Sequence, residues 1–200
     1  KIKLDLDNSS VTVGAGVSLD KLLKEIIPFG FFIPVSPGTK KVSIGGAIAA
    51  DVHGKNHHKD GSFGNHIKKI ILIDGQGHLR ELEPKQGESE SKLFWATIGG
   101  MGLTGVIIQA EFDLIPISSS FIKVQTKRFK DLDTLMSAMI DADKYFQYSV
   151  AWIDTLSKSG RGVLTCGDHA VVNDLSNELI KNRFSYKPQA LANAPSFLPK

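Results

Sequence analysis

Two hundred residues make one full-sized domain, or one domain with part of a second. Hydrophobic residues at 42% and charged residues at 22% exclude a disordered tail, and no apolar run approaches the roughly 20 residues of a membrane-spanning helix. A formal charge of +3, with 24 basic and 21 acidic residues spread along the chain, excludes the basic stripe of a nucleic-acid binder; the single Cys166 excludes an internal disulfide or multi-cysteine metal site and fits a reducing compartment.

The chain opens on Lys1, directly in an alternating pattern, and reads as a piece of something longer. Ile2, Leu4 and Leu6 predict a strand, Asp7-Asn8-Ser9 a turn, and Val11-Thr12-Val13 a second strand. After Gly14-Ala15-Gly16, Ser18 is a candidate N-cap. Leu19, Leu22, Leu23, Ile26 and Ile27 recur at helical spacing, with Pro28 and Gly30 as the stop. Residues 36–64 carry little periodicity and are expected to be loop. Ile67–Ile73 and His78–Leu82 predict a hairpin across Asp74-Gly75-Gln76-Gly77. A short helix is expected at Ser91–Ala96 and a strand at Gly105–Ile115. Pro116 and Ser118-Ser119-Ser120 form a boundary. Phe121–Phe129 alternates, and Asp131 caps a helix with Leu132, Leu135, Met136, Met139 and Ile140 on one face. Strands follow at Tyr148–Asp154 and Arg161–Cys166, then a helix at Asn173–Lys181 and a turn-like tail at Phe184–Lys200. The class is α+β with antiparallel or mixed strands.

Most of the 19 glycines lie between Gly38 and Gly105. Gly100-Met101-Gly102-Leu103-Thr104-Gly105 satisfies G-x-G-x-x-G, but a strand rather than a helix follows, so the dinucleotide fingerprint is set aside. His53, His57, His58 and His66 invite a metal. His53 and His57 would converge only on a helix, and Gly54 and Gly61 oppose one, so no metal site is expected. The strongest feature is Ser36-Pro37-Gly38-Thr39, followed by Val42-Ser43-Ile44-Gly45-Gly46-Ala47-Ile48-Ala49-Ala50-Asp51-Val52-His53-Gly54-Lys55. Its small residues suit the approach of a large flat ligand to the backbone, or else a turn packed tightly on a neighbouring helix.

At these residues the sequence resembles the vanillyl-alcohol-oxidase flavoproteins, the family with a p-cresol-methylhydroxylase (PCMH)-type FAD-binding domain. The likeness rests on Pro37-Gly38-Thr39 and Gly45-Gly46-Ala47-Ile48-Ala49. The runs Asp51–His58, Gly61–His66, Leu93–Gly100, Gly102–Gly105 and Ala151–Asp154 are narrower. They resemble the branch that oxidises the pentose of a polyprenylphosphoryl sugar, as the flavin subunit of a 2′-epimerase in cell-wall synthesis.

The resemblance implies the second subdomain of that FAD-binding domain over residues 1–116, then the start of an α+β substrate domain over 117–200. Carried over by position, Gly38, Ser43, Ile44, Gly45, Gly46, Ala50, Asp51, Val52, His53 and Ile107 would contact FAD. His53 and Lys55 would be the catalytic side chains, with neither assigned as the base. Gly54, Lys55 and Trp152 would meet substrate; for Trp152 a core aromatic on a strand face is the equal alternative. Lys55 would hold an anionic phosphate or negative charge on reduced flavin. The implied activity is FAD-dependent oxidation of a secondary alcohol by hydride transfer to flavin N5. The implied partners are a lipid-linked sugar phosphate as substrate and a short-chain reductase, with no nucleic acid. The implied location is cytoplasmic or peripheral at the inner membrane. The family's first pyrophosphate-binding loop would lie before Lys1, so these residues alone are expected to hold FAD weakly. Oxidation of another sugar alcohol or an aldonolactone, and a non-catalytic sugar or nucleotide-binding module, are the alternatives.

Overall fold

The alternation at Ile2 and Leu4 becomes strand β1 (Ile2–Asp5), which turns back onto β2 (Ser10–Gly14). Helix α1 (Leu19–Ile26) follows, its cap made by Ser18 Oγ, which accepts from Lys21 N–H at 3.2 Å. Leu19, Leu22, Leu23 and Ile26 are all buried, so the periodic stripe is the face that packs. A single turn of 3₁₀ helix holds Pro28, and Gly30 ends it at φ +79°. The computed structural model describes residues 1–186. The expected turn-like tail therefore has only Phe184–Tyr186 within the described residues.

Phe31–Phe32 form a short strand, β3, that the sequence reading omitted; it pairs with β7 (Ile115–Pro116), so Pro116 lies in a ladder rather than at a bare boundary. Proline is tolerated there because both strands are two residues long and the ladder needs little from its missing N–H. The stretch expected to be loop contains helix α2 (Ile44–Ala49), a four-residue helix α3 (His57–Asp60) and a 3₁₀ turn at Phe63–His66. Two glycines weigh against α2, but the Ser43 cap and the complete burial of Ile44, Ala47 and Ile48 outweigh propensity.

Strand β4 (Ile67–Asp74) pairs with β5 (Leu79–Leu82), and α4 spans Glu88–Thr97. Strand β6 (Gly105–Asp113) completes a five-stranded antiparallel sheet of order β1-β2-β6-β4-β5. No helix follows Gly105, in keeping with the rejection of the dinucleotide fingerprint. Its register slips where Ile71 pairs with Gln109 but Leu72 with Ile107. The extra residue, Ile108, turns Ile107 onto the same face as Ala110 and Phe112, where it packs on the core. That core joins Val11, Val13, the α1 stripe, Ile44, Ile48, Phe63, Ile70, Leu72, Phe94 and Phe112.

A second sheet has order β8-β10-β9, from β8 (Ile122–Phe129), β9 (Tyr148–Ile153) and β10 (Gly162–His169). Helix α5 (Leu132–Ala142), capped by Asp131, covers one face through Leu135, against Leu164 and Cys166. The expected helix at Asn173–Lys181 is shorter: a 3₁₀ turn at Val172–Asp174, then α6 (Asn177–Lys181), because Ser176 supplies the cap. Hydrogen bonds tie β9 and the residues just before it to the segment that follows α2. Ser149 N–H donates to Lys55 O at 3.0 Å, His58 Nε2 lies 3.0 Å from Phe146 O, and the Gln147 amide donates to Asp60.

A candidate flavin and substrate cleft

Helix α2 ends at Ala50, and Asp51 turns the chain with φ +42°. The left-handed conformation is held because Asp51 Oδ1 accepts from Gly64 N–H at 2.9 Å and Asp51 N–H reaches Ile48 O. The chain then runs as His53-Gly54-Lys55 beside Ser36-Pro37-Gly38. A Cβ at Gly54 would stand 2.6 Å from Ser36 O and 2.9 Å from Asn56 Oδ1. Only glycine permits that approach. Asn56 locks it from behind, its amide donating to Pro34 O and Asp60 Oδ2, both at 2.6 Å. Its Oδ1 is buried without a hydrogen-bond partner, against the Gly54 backbone.

These two segments border the free edge of β9 and enclose a cleft in two connected parts. One, of about 330 Å³, is lined by Ser36, Gly38, His53, Gly54, Lys55 and Met139, with residues 149–151 of β9. The other, of about 410 Å³, shares Ser36, Gly38, Lys55, Ser149 and Val150, and continues over Phe32, Val124, Tyr148 and Thr165. The second part lies on the sheet face opposite α5. There the register aligns Tyr148 with Gly167 and Val124, and Val150 with Thr165 and Thr126.

The predicted site residues separate into those on the cleft and those inside the protein. Gly38, His53, Gly54 and Lys55 line it. Ala50 is exposed at the end of α2. Ile44 is fully buried in the core, so its side chain is not available to a ligand. Val52 and Ile107 are partly buried against that core. At the start of α2 the donors are already used: Ile44 N–H bonds Val17 O, Gly45 N–H bonds Ala15 O, and Gly46 N–H bonds Ser43 Oγ. A Cβ on Gly45 would meet Ala15 Cβ at 3.0 Å. The small residues thus serve close packing of α2, against the Gly14–Gly16 turn rather than another helix. Trp152, 73% exposed, shares the open sheet face but borders a separate cavity of about 460 Å³ with Arg128 and Arg161.

The histidines do not gather. His53 and His57 rings stack edge-on at 5.2 Å, His58 turns to Asp143 and Phe146 O, and His66 bonds Asp60 O. No cluster of three potential metal ligands occurs among the described residues.

On the cleft wall, Tyr148 begins a pair that the sequence reading missed. Tyr148 Oη lies 3.3 Å from His169 Nε2, and His169 Nδ1 lies 3.0 Å from Ser119 O. Burial, reinforced by the charges of Asp60 and Asp168, pushes the Tyr148 phenol well above its ordinary pKa. Burial also lowers His169. The alternation Tyr148, Val150, Trp152 announced a shared face, but nothing local announced His169 behind it.

Whether these residues fit a flavin is tested at Gly38. A Cβ there would find no atom within 4 Å, only the cleft, so the backbone presents an open flat wall. That wall, apolar on one side and carrying His53 and Lys55 on the other, fits a flat ring system. The spent donors of α2 leave its phosphates to be held from elsewhere.

Comparison with known proteins points to the same cofactor. Residues 1–83 match the family model for the FAD binding domain. Over 98% of this chain and 43% of the relative, the sequence is 38% identical to decaprenylphosphoryl-beta-D-ribose oxidase of Mycolicibacterium smegmatis. A Streptomyces coelicolor protein of unassigned role is 37% identical over 92% of this chain and 49% of its own length. L-gulonolactone oxidase 3 of Arabidopsis thaliana is 26% identical over 76% of this chain and 26% of its own. The chain spans less than half the length of these relatives. Residues 1–83 are thus similar to the FAD binding domain, which supports FAD as the cofactor, in a chain similar over most of its length to an FAD-linked oxidase.

Proposed function

We propose that the protein containing this chain is an FAD-dependent oxidoreductase that oxidises a secondary alcohol on the pentose of a polyprenylphosphoryl sugar. In this reading residues 1–116 are the later part of the flavin-binding domain and 117–200 begin the substrate domain. The observation that carries it is the cleft itself. The His53-Gly54-Lys55 segment faces β9 across a cavity with one open glycine wall and one apolar sheet face. The identity with decaprenylphosphoryl-beta-D-ribose oxidase runs through both sides of that cleft.

Bound FAD would supply the hydride acceptor, at N5, that no amino-acid side chain provides. Gly38 and the His53-Gly54 backbone would hold the flat ring. Lys55, which lines both parts of the cleft, would hold the sugar phosphate or offset negative charge at the ring. Phe32, Val124 and Val150 would exclude water from the reacting carbon. Trp152 would extend the wall toward the second cavity. The keto sugar produced would pass to a short-chain reductase, and the lipid tail would bring the protein to the inner membrane as a peripheral partner. Among the described residues no helix is long and apolar enough to cross a membrane.

Anaerobic titration of the full flavoprotein tests the reading. A polyprenylphosphoryl ribose should bleach the flavin at stoichiometric amounts, whereas soluble aldonolactones and alditols should not. Bleaching by a soluble lactone alone would assign the protein to the lactone-oxidising relatives instead.

A further inference from the structure

Tyr148 and His169 face a chemical need that the alcohol oxidation creates: a place for the hydroxyl proton. Ser119 O is a carbonyl and only accepts, so the Nδ1 that lies 3.0 Å from it carries the imidazole hydrogen. Nε2 is then a bare acceptor, and Tyr148 donates its O–H to it across 3.3 Å. Phe32, edge-on to the His169 ring at 5.1 Å, and Tyr148, at 5.7 Å, hold the imidazole in that orientation. The phenol oxygen keeps lone pairs for a second partner, and Tyr148 lines the same cavity as Lys55. The next residue along β9, Ser149, is bonded through its N–H to Lys55 O. A second hydroxyl on the cavity, that of Ser149, is already donated to Asp143 Oδ1 at 2.6 Å.

We infer that Tyr148 is the group that receives the substrate hydroxyl proton, and that His169 is the positioning base which takes the phenol's own proton in exchange. The inference rests on the alcohol oxidation proposed above. In the step, the carbon-bound hydrogen leaves with its electron pair as hydride to the flavin. The alcohol O–H proton moves to Tyr148 Oη, the phenol proton moves to His169 Nε2, and the carbon–oxygen double bond forms. His169 is left as imidazolium, its Nδ1–H still on Ser119 O. The charged groups facing the pair are Asp168, beside His169 on β10, which favours that cation, and Asp60 at the end of α3, which with Asp168 keeps the Tyr148 phenol protonated. Because burial keeps His169 neutral below its ordinary pKa, the acceptor stays available through the physiological range.

The test uses the full flavoprotein, with ring-¹⁵N histidine for a readout independent of turnover. The His169 signals should report Nδ1–H and an acceptor Nε2, and Tyr148→Phe should move the Nε2 resonance. With a polyprenylphosphoryl ribose, Tyr148→Phe should lower kcat by about 10²–10⁴-fold while flavin content and KM stay near wild type. His169→Gln keeps an acceptor for the phenol but no base, so it should lose a comparable factor and the acid limb of the kcat profile. The relay is overturned by a proton on Nε2, by a Tyr148→Phe kcat within about threefold of wild type, or by a His169→Gln profile that keeps its acid limb. If wild-type flavin is reduced by no sugar alcohol, the proposed activity itself falls and takes the relay with it. If wild type turns over and Tyr148→Phe does too, the relay alone is refuted.

Discussion

Replacing Gly54 with alanine in the full protein tests whether the close approach of two backbone segments shapes the cleft. The added Cβ would lie 2.6 Å from Ser36 O, 3.1 Å from Ser36 C and 2.9 Å from Asn56 Oδ1. An ordinary carbon–oxygen contact is about 3.3 Å or longer, so the segments must part by roughly 0.7 Å. Neither neighbour yields easily: one is backbone, and the other is an amide pinned to Pro34 O and Asp60. Overpacking of this kind costs about 1–3 kcal/mol. For a domain of this size that lowers Tm by roughly 2–12 °C. The displaced segment carries His53 and Lys55, and a misplacement of about 1 Å at a reacting centre reduces turnover by up to about 10²-fold. Differential scanning fluorimetry and flavin absorbance are the assays. Gly38 is the control. Gly38→Ala meets no atom within 4 Å, so its stability should stay within about 0.5 kcal/mol of wild type. Gly38→Val should fold normally but lose flavin, because its branches enter the cleft. A Gly54→Ala protein that melts and retains flavin like wild type would refute the packing argument. A fully yellow Gly38→Val would remove the flavin from this wall.

Gly45→Val should destabilise the fold itself by about 1–3 kcal/mol, because its Cβ points at Ala15 rather than into open space; a stable, flavin-free variant would contradict this. Ser43→Ala removes the acceptor for Gly46 N–H and should cost about 1 kcal/mol in urea denaturation, with no change expected if α2 is held by burial alone. Leu135→Ala empties the centre of the small second core and should cost about 2–5 kcal/mol, read as a lower melting transition with its main effect on tryptophan fluorescence from Trp152. Asp20 is held well below the usual carboxylate range by Lys24, then by Tyr186 and Lys40. Its folded pKa is depressed, so its contribution is present above about pH 4 and is lost as pH falls through the folded value. Asp20→Asn should therefore flatten the acid side of the stability profile, and an unchanged acid slope would show the cluster to be inert.

The local pattern determined what local physics decides. Ser18, Pro28 and Gly30 bounded α1 because caps, a fixed φ and a left-handed stop act within a few residues. The same holds for the β4–β5 hairpin and for Asp131 before α5. Small residues, His53, Gly54 and Lys55 in one run pointed to either a ligand-binding segment or a tightly packed turn, and FAD entered through the family resemblance that the run carries. Tertiary structure decided the rest. Helix α2 forms against the preference of Gly45 and Gly46 because Ile44, Ala47 and Ile48 find a core built from distant strands. Which cofactor-segment residues face the cleft was equally non-local. A one-residue bulge at Ile108 turns Ile107 inward, and the donors of α2 are taken by Ala15 and Val17, about thirty positions earlier. Tyr148 and His169 meet only because β9 pairs with β10, and Ser119 lies fifty residues before the imidazole whose tautomer it sets. Side-chain spacing along one strand fixes a face; which face stays open, and what stands behind it, depends on the neighbours that the fold supplies.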